Sequence, residues 1–185
     1  MSNGSTRYAE DWYVHTGASK GVPSGSTLSF KVYQGFEDAT KGAIYYSTRT
    51  WIDATGMEKV NTYSFDLGPT SDYYSVGDNV NVIVPINDPD EAMMVFKYWC
   101  DTNGFVASGD IVINKHYPWS NDLSPYTFDI QNVMTHEIGH AWGLSDKYDL
   151  YARNWTMYGT EGSYCQTDAR TLHSMDLLAI QQLYN

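Results

Sequence analysis

The sequence predicts an α+β domain built on a mixed, twisted β-sheet, and three observations carry that expectation. Short runs alternating β-branched and aromatic residues with polar ones recur between residues 26 and 114. Stretches with three- and four-residue apolar spacing stand among and after them. The two kinds follow one another as β-α-β-β-β and then two more helices, an order that gives a sheet covered by helices. The 185 residues, 42% of them hydrophobic, suffice for one domain with a proper core and hardly for two.

The first 25 residues are polar and rich in Gly and Ser, which predicts a surface-lying arm. STLSFKVY at 26–33 has the alternation of a strand. Phe36, Ala39, Ala43, Ile44, Ser47, Trp51 and Ala54 then recur at helical steps until Gly56 stops them. Strand-like segments follow at 61–67, 79–86 and 110–114, with a short helix expected near 91–99. From Asp129, a suitable N-cap, Ile130, Val133, Met134, Ile138 and Ala141 predict a second main helix, which Gly143 ends in a left-handed turn. A last helix runs over 174–184 with Leu177, Ile180, Leu183 and Tyr184 buried. The stretch of about thirty residues between these helices has little patterning, and such loops inside compact domains are usually functional.

Charge and cysteine usage narrow the function classes. Eleven Lys and Arg against 22 Asp and Glu leave a net charge of −11, which repels phosphate backbones and anionic headgroups. Nucleic-acid and membrane partners are therefore not expected. The opening MSNGSTRYAEDW has neither a basic n-region nor an apolar h-region, and no run approaches a membrane span. The two cysteines, Cys100 and Cys165, leave a single disulfide or two separate thiols open.

The chemistry concentrates at residues 136–140, which read HEIGH. On a helix, His136 and His140 stand one turn apart on one face, so both imidazoles can converge on one ion with Glu137 beside it. Gly143 and Asp146 extend the pattern to HEIGHAWGLSD. The glycine lets the chain turn back, and the carboxylate three residues later can be a third ligand. Two imidazoles and a carboxylate suit zinc and leave a fourth position for water. Asp149 and Glu161 are rivals for the third place. Glu137 is the candidate general base and acid. His15, His116 and His173 stand apart and are expected at the surface or satisfied in the core. NDPDE at 87–91 could hold calcium, but lacks the spacing of an EF-hand loop.

With these residues in place, and with Met157 following in NWTMYGTEG at 154–162, the chain resembles the metzincin zinc metallopeptidases, most closely the matrixins of bacterial and archaeal type. Its HExxHxxGxxD motif, with an Asp in third place, resembles that of snapalysin. GDIVINKHYPWS at 109–120 resembles the matrixin segment that forms the upper edge strand of the cleft, and RTLHSMDLLAIQQLY at 170–184 resembles the closing helix. The likeness covers about residues 26–185. Animal matrixins usually carry His where Asp146 stands, and acidic and His ligands of structural calcium and zinc where this chain has Val112, Asn114, Lys115 and Tyr117. Those structural metal sites are not carried over.

The resemblance implies a metzincin-like fold with an active-site helix, a methionine turn and a C-terminal helix. It implies a single catalytic domain over 1–185: an arm at 1–25, an upper part at 26–143 with the zinc helix, and a lower part at 144–185 with the methionine turn and last helix. It further implies one catalytic zinc ion on His136, His140 and Asp146, an apolar floor made by Met157, and Tyr158 lining the substrate pocket. Gly109, Ile111 and Ile113 are expected on an edge strand that pairs with an extended peptide. The activity implied is endopeptidase cleavage of proteins or peptides by a secreted monomer. The competing expectation is a catalytically silent module of the same fold that holds zinc and binds a partner along its edge strand.

Overall fold

The computed structural model describes residues 20–67, 79–159 and 163–184. His15, Glu161 and most of the N-terminal arm expected at 1–25 lie outside them. Strand β1 (Leu28–Tyr33) leads into helix α1 (Asp38–Thr55), which ends at Gly56, and β2 (Val60–Leu67) returns beside β1. Strands β3 (Asn81–Ile86), β4 (Met94–Cys100) and β5 (Val106–Asn114) complete a five-stranded sheet in the order β2-β1-β3-β5-β4. All neighbours pair parallel except β4 and β5, which run antiparallel through a short turn. The sheet is therefore mixed, as the element order predicts, and α1 supplies the crossover that a parallel β1–β2 pair requires. A two-stranded ribbon of β6 (Trp119–Ser120) and β7 (Phe128–Asp129) leads into α2 (Ile130–Ala141), and α3 (Ser174–Tyr184) closes the described chain.

Two expectations need correction. Residues 94–100, expected within a short helix near 91–99, form strand β4. The segment MVFKYWC is nearly continuous in apolar residues and so fits either period. Seven cross-strand partners on β5 decide the matter: Met94 and Phe96 are buried, whereas Val95 and Lys97 are less so. In consequence β5 is no edge. It is paired to β3 on one side and β4 on the other, and β4 is the edge strand.

The core joins every layer. Phe30, Val32, Ile83, Ile111 and Ile113 from the sheet, Ile44 and Trp51 from α1, Met134 and Ile138 from α2, and Ile180 from α3 are all nearly or wholly buried. Trp51 ties α1 to α2 twice. Its ring stacks on Trp142 at 6.0 Å and its Nε1 donates to the Thr135 carbonyl at 2.9 Å. These contacts hold α2 rigidly beneath the sheet and leave one of its faces open to a cleft beside β4.

Candidate metal centre

Helix α2 is fixed at both ends. Asp129 caps its start, accepting from the Asn132 amide at 2.8 Å. At the other end Gly143 adopts φ +100°, and two bonds close the turn: Gly143 N–H to the His140 carbonyl at 2.9 Å and Leu144 N–H to the Gly139 carbonyl at 3.1 Å. This is a Schellman motif. Its consequence is chemical, because it brings the Leu144 carbonyl to 2.7 Å from His140 Nδ1. His136 Nδ1 lies 2.8 Å from the Thr156 carbonyl in the same way. A carbonyl only accepts, so each Nδ1 carries a hydrogen and each ring turns its Nε2, the atom free to ligate once it carries no proton, into the cleft.

The chain returns under α2 at Met157. Met157 is wholly buried beneath the two histidines' helix, and a side chain at Gly139 would collide with its sulfur. The glycine of HEIGH is thus the seat of Met157. Lys147 N–H bonds to the Met157 carbonyl at 2.8 Å and Gly159 N–H to the Lys147 carbonyl at 2.9 Å. That short ladder presents Asp146 beside it. A Cβ at Gly159 would stand 2.6 Å from Asp146 Cβ, so the glycine leaves the space in which the carboxylate lies. Asp176 of α3, fully buried, braces the turn by accepting from the Thr156 amide at 3.1 Å and the His173 amide at 2.8 Å.

Asp146 Oδ1 lies 3.0 Å from His136 Nε2 and 3.5 Å from His140 Nε2. Donors around a tetrahedral ion with bonds of about 2.0 Å stand about 3.3 Å apart, so this set suits zinc. Ligand atoms of His136, Glu137 and His140 also lie within 4.8 Å of one another. Among the described residues no other group of three or more His, Cys, Asp or Glu side chains is so placed. Glu137 is 7% exposed, and its Oε2 accepts from the Phe96 amide of β4 at 2.8 Å.

Electrostatics follow from this crowding. Burial raises the Glu137 pKa, countered in part by the charges of His140 and His136. Burial alone would lower that of His140, but the Asp146 hydrogen bond and the Glu137 charge outweigh it and carry it up to about 9. Asp146 resists the upward push of burial because hydrogen bonds from His136 and His140 hold its carboxyl well below the usual carboxylate range. Without a metal, the cluster stores a proton between His140 and Asp146.

The cleft encloses about 620 Å³ and runs from Met94, Phe96 and Tyr98 of β4 past the cluster to Tyr158, Gln166 and Ala169. Tyr158 lines it. Gly109, Ile111 and Ile113 do not. They lie on interior strand β5, where the isoleucines are core residues and Gly109 makes room for the Phe96 ring. The strand that flanks the cleft is β4. His116 is exposed, and His173 stacks on Trp155 at 5.7 Å, so neither joins the cluster. The 87–91 turn is organised by protein groups: the buried Asn114 amide donates to the Asp88, Glu91 and Ala92 carbonyls, and Glu91 pairs with Lys97 at 2.6 Å. Cys100 and Cys165 are not joined in a disulfide.

Sequence reasoning left out the supports. Gly139 and Gly159 were visible as residues lacking a side chain beside the motif. Asp176, three residues after His173 at the start of a helix, had the spacing of a capping carboxylate. Nothing local marks the Thr156 and Leu144 carbonyls.

No curated protein matches the chain. The matrixin family profile matches residues 87–185, the span from the acidic turn before β4 through α2 and the methionine turn to the end of α3. That span covers more than half of the chain and every residue of the cluster, and the chain accordingly belongs to the matrixin family of metallopeptidases, hydrolases that act on proteins or peptides.

Proposed function

We propose that this matrixin is a zinc endopeptidase in which His136, His140 and Asp146 hold the ion and Glu137 moves the proton. The observation that carries the reading is the convergence of two Nε2 atoms, each fixed by a backbone carbonyl, on one oxygen of Asp146, with the Glu137 carboxylate alongside. When bound, zinc polarises the scissile carbonyl and acidifies a water molecule. Glu137 is prepared for the rest. One of its oxygens is held by the Phe96 amide, which leaves the other to take a proton from water and pass it to the departing amine. The upward shift of its pKa by burial makes it a stronger base than an exposed glutamate. Met157 closes the site from below with an apolar surface.

Substrate is read as an extended peptide along β4. Strand β4 is an edge strand of the sheet beside the cleft, and a peptide can add to it as a further strand. Action outside the cell belongs to the same reading and rests on the family resemblance alone, since no disulfide joins Cys100 and Cys165. Recovery of the protein from culture medium rather than from cells checks that point.

The deciding experiment is cleavage of a mixed peptide library by the parent protein and by Glu137→Ala, with zinc content determined on both. The expected result is cutting by the parent alone and one zinc in each. A loss of roughly 10³-fold or more is expected, as for removal of an essential acid–base group acting with a metal. Undiminished cutting by the variant removes Glu137 from the mechanism. A zinc-loaded parent that cuts nothing favours a silent peptide-binding module.

A further inference from the structure

One wall of the cleft, residues 163–171, has almost no regular structure beyond a single turn of 3-10 helix at Asp168–Arg170. A segment of that kind ordinarily moves, and a pocket wall that moves selects side chains poorly. This one is tied at several points to the metal-centre helix and to the segments flanking it. Cys165 N–H bonds to the Thr127 carbonyl at 3.0 Å, and Ala169 N–H to Asn132 Oδ1 at 2.8 Å. Arg170 grips Asp129 with two nitrogens, Nε to Oδ1 at 2.9 Å and Nη2 to Oδ2, and Nη2 also reaches the Asn121 carbonyl at 3.2 Å. Thr156 Oγ1, beside the methionine turn, donates to the Thr171 carbonyl at 3.2 Å.

The two side chains that receive the Arg170 and Ala169 bonds stand at the start of the helix. Asp129 is its N-cap, with a side chain only 1% exposed, and Asn132 stands one turn before His136 on the same face. Gln166, Asp168 and Ala169 line the cleft together with Asn132, Val133 and His136. The distance from that wall to the metal cluster is therefore set by α2, through a planar guanidinium that engages both oxygens of a buried carboxylate. That geometry a flexible ammonium does not reproduce.

We propose that Arg170 is the positioning residue for specificity: through Asp129, and with Asn132 holding Ala169, it fixes the breadth of the side-chain pocket beside His136 and so decides which residue adjoining the scissile bond is accepted. The inference rests on the peptidase reading above. Arg170 pairs with Asp129 and not with His136, His140 or Asp146, and it does not line the cleft. Its effect is on discrimination.

The test compares the parent with Arg170→Ala, Arg170→Lys and Asn132→Ala, using peptides varied only at the position adjoining the cut, with amide hydrogen exchange across 163–171 followed on the same proteins. In Arg170→Ala the advantage of the best-accepted residue over Ala falls about tenfold, mainly through KM, since one ill-fitting group in a pocket is worth about that much. Exchange protection of the wall falls with it. Arg170→Lys restores the charge without the fork and recovers part of the selectivity. A preference profile of unchanged shape in Arg170→Ala, whatever its overall rate, overturns the proposal. Should that variant not fold, the profiles of Arg170→Lys and Asn132→Ala are judged by the same criterion. A parent that cuts no peptide refutes the peptidase reading separately, and wall protection unchanged in the variants then overturns the tether by itself.

Discussion

His140 has to hold a proton in one state of the protein and release it in another. In the metal-free cluster its pKa is carried up to about 9, against 6.5 for a free imidazole, by Asp146 and Glu137. A group whose folded pKa is raised lends stability that is fully present below the unfolded value and lost as pH rises through the folded one. For His140 that window runs from about pH 6.5 to 9. Ligation needs the neutral ring, so zinc uptake at pH 7.5 is expected to release about one proton, the release fading above about pH 10. Calorimetric titration in buffers of different ionisation enthalpy measures it, and heats independent of buffer at pH 7.5 would refute the assignment. Asp146 depends on a neighbour with no side chain at all. Gly159→Ala places a methyl group 2.6 Å from Asp146 Cβ and must displace the carboxylate. Zinc affinity is expected to drop about 10- to 100-fold, the usual cost of disturbing a ligand's support. Competition with a chelating dye checks it, and a parental affinity would show that the carboxylate is not part of the site.

Among the elements, α2 was the most legible in the sequence and the segment after it the least. Helix α2 has an N-cap, a 3.6-residue period and a terminating glycine, three local signals that agree, and the structure keeps its bounds. Gly143 does more than stop the helix. A Cβ there would meet the Gly21 backbone at 2.6 Å, and its φ of +100° excludes ordinary side chains. Gly143→Ala is expected to cost about 2–4 kcal/mol, combining left-handed strain with overpacking, and to weaken zinc binding as the Leu144 carbonyl leaves His140. Chemical denaturation of the metal-free protein reads the first effect and metal competition the second. A change below about 0.5 kcal/mol would mean that Gly21 yields freely. Strand β4 escaped the sequence because an almost unbroken apolar run has no period of its own, and its partner on β5 supplied the missing information. Across 144–159 and 163–173 much of the order comes from polar side chains bonded to distant backbone, such as Thr156 to Thr171 and Asn132 to Ala169. Bonds of that kind leave no periodicity behind. The two histidines and Glu137 could be read from spacing and Asp146 from the extended motif, whereas the Lys147–Met157 ladder that presents Asp146 left no local signal.

At the scale of the whole molecule, one core joins the sheet to all three helices, and the cleft lies between an edge of that sheet and one of those helices. The charge around it is lopsided. A net charge of −11 spreads over a 185-residue chain, and the cleft itself is lined by Asp146, Glu137 and Asp168 against Arg153. Acidic surfaces raise the local concentration of cationic ligands over distances set by the Debye length, about 10 Å at 0.1 M salt and about 30 Å at 0.01 M. The same charge that argues against nucleic-acid partners therefore argues for basic peptides. Two peptides sharing one cut site, one flanked by lysines and the other by glutamates, should differ about tenfold in kcat/KM at 10 mM salt, in favour of the lysine peptide. At 0.3 M salt most of the difference should vanish, and its decline should lie in KM, because the field gathers substrate without touching the reacting atoms. A lysine preference that persists undiminished at high salt would instead locate the effect in a direct contact, with Asp168 the first residue to substitute. An advantage for the glutamate peptide would show that Arg153 and the bound ion outweigh the rest of the surface.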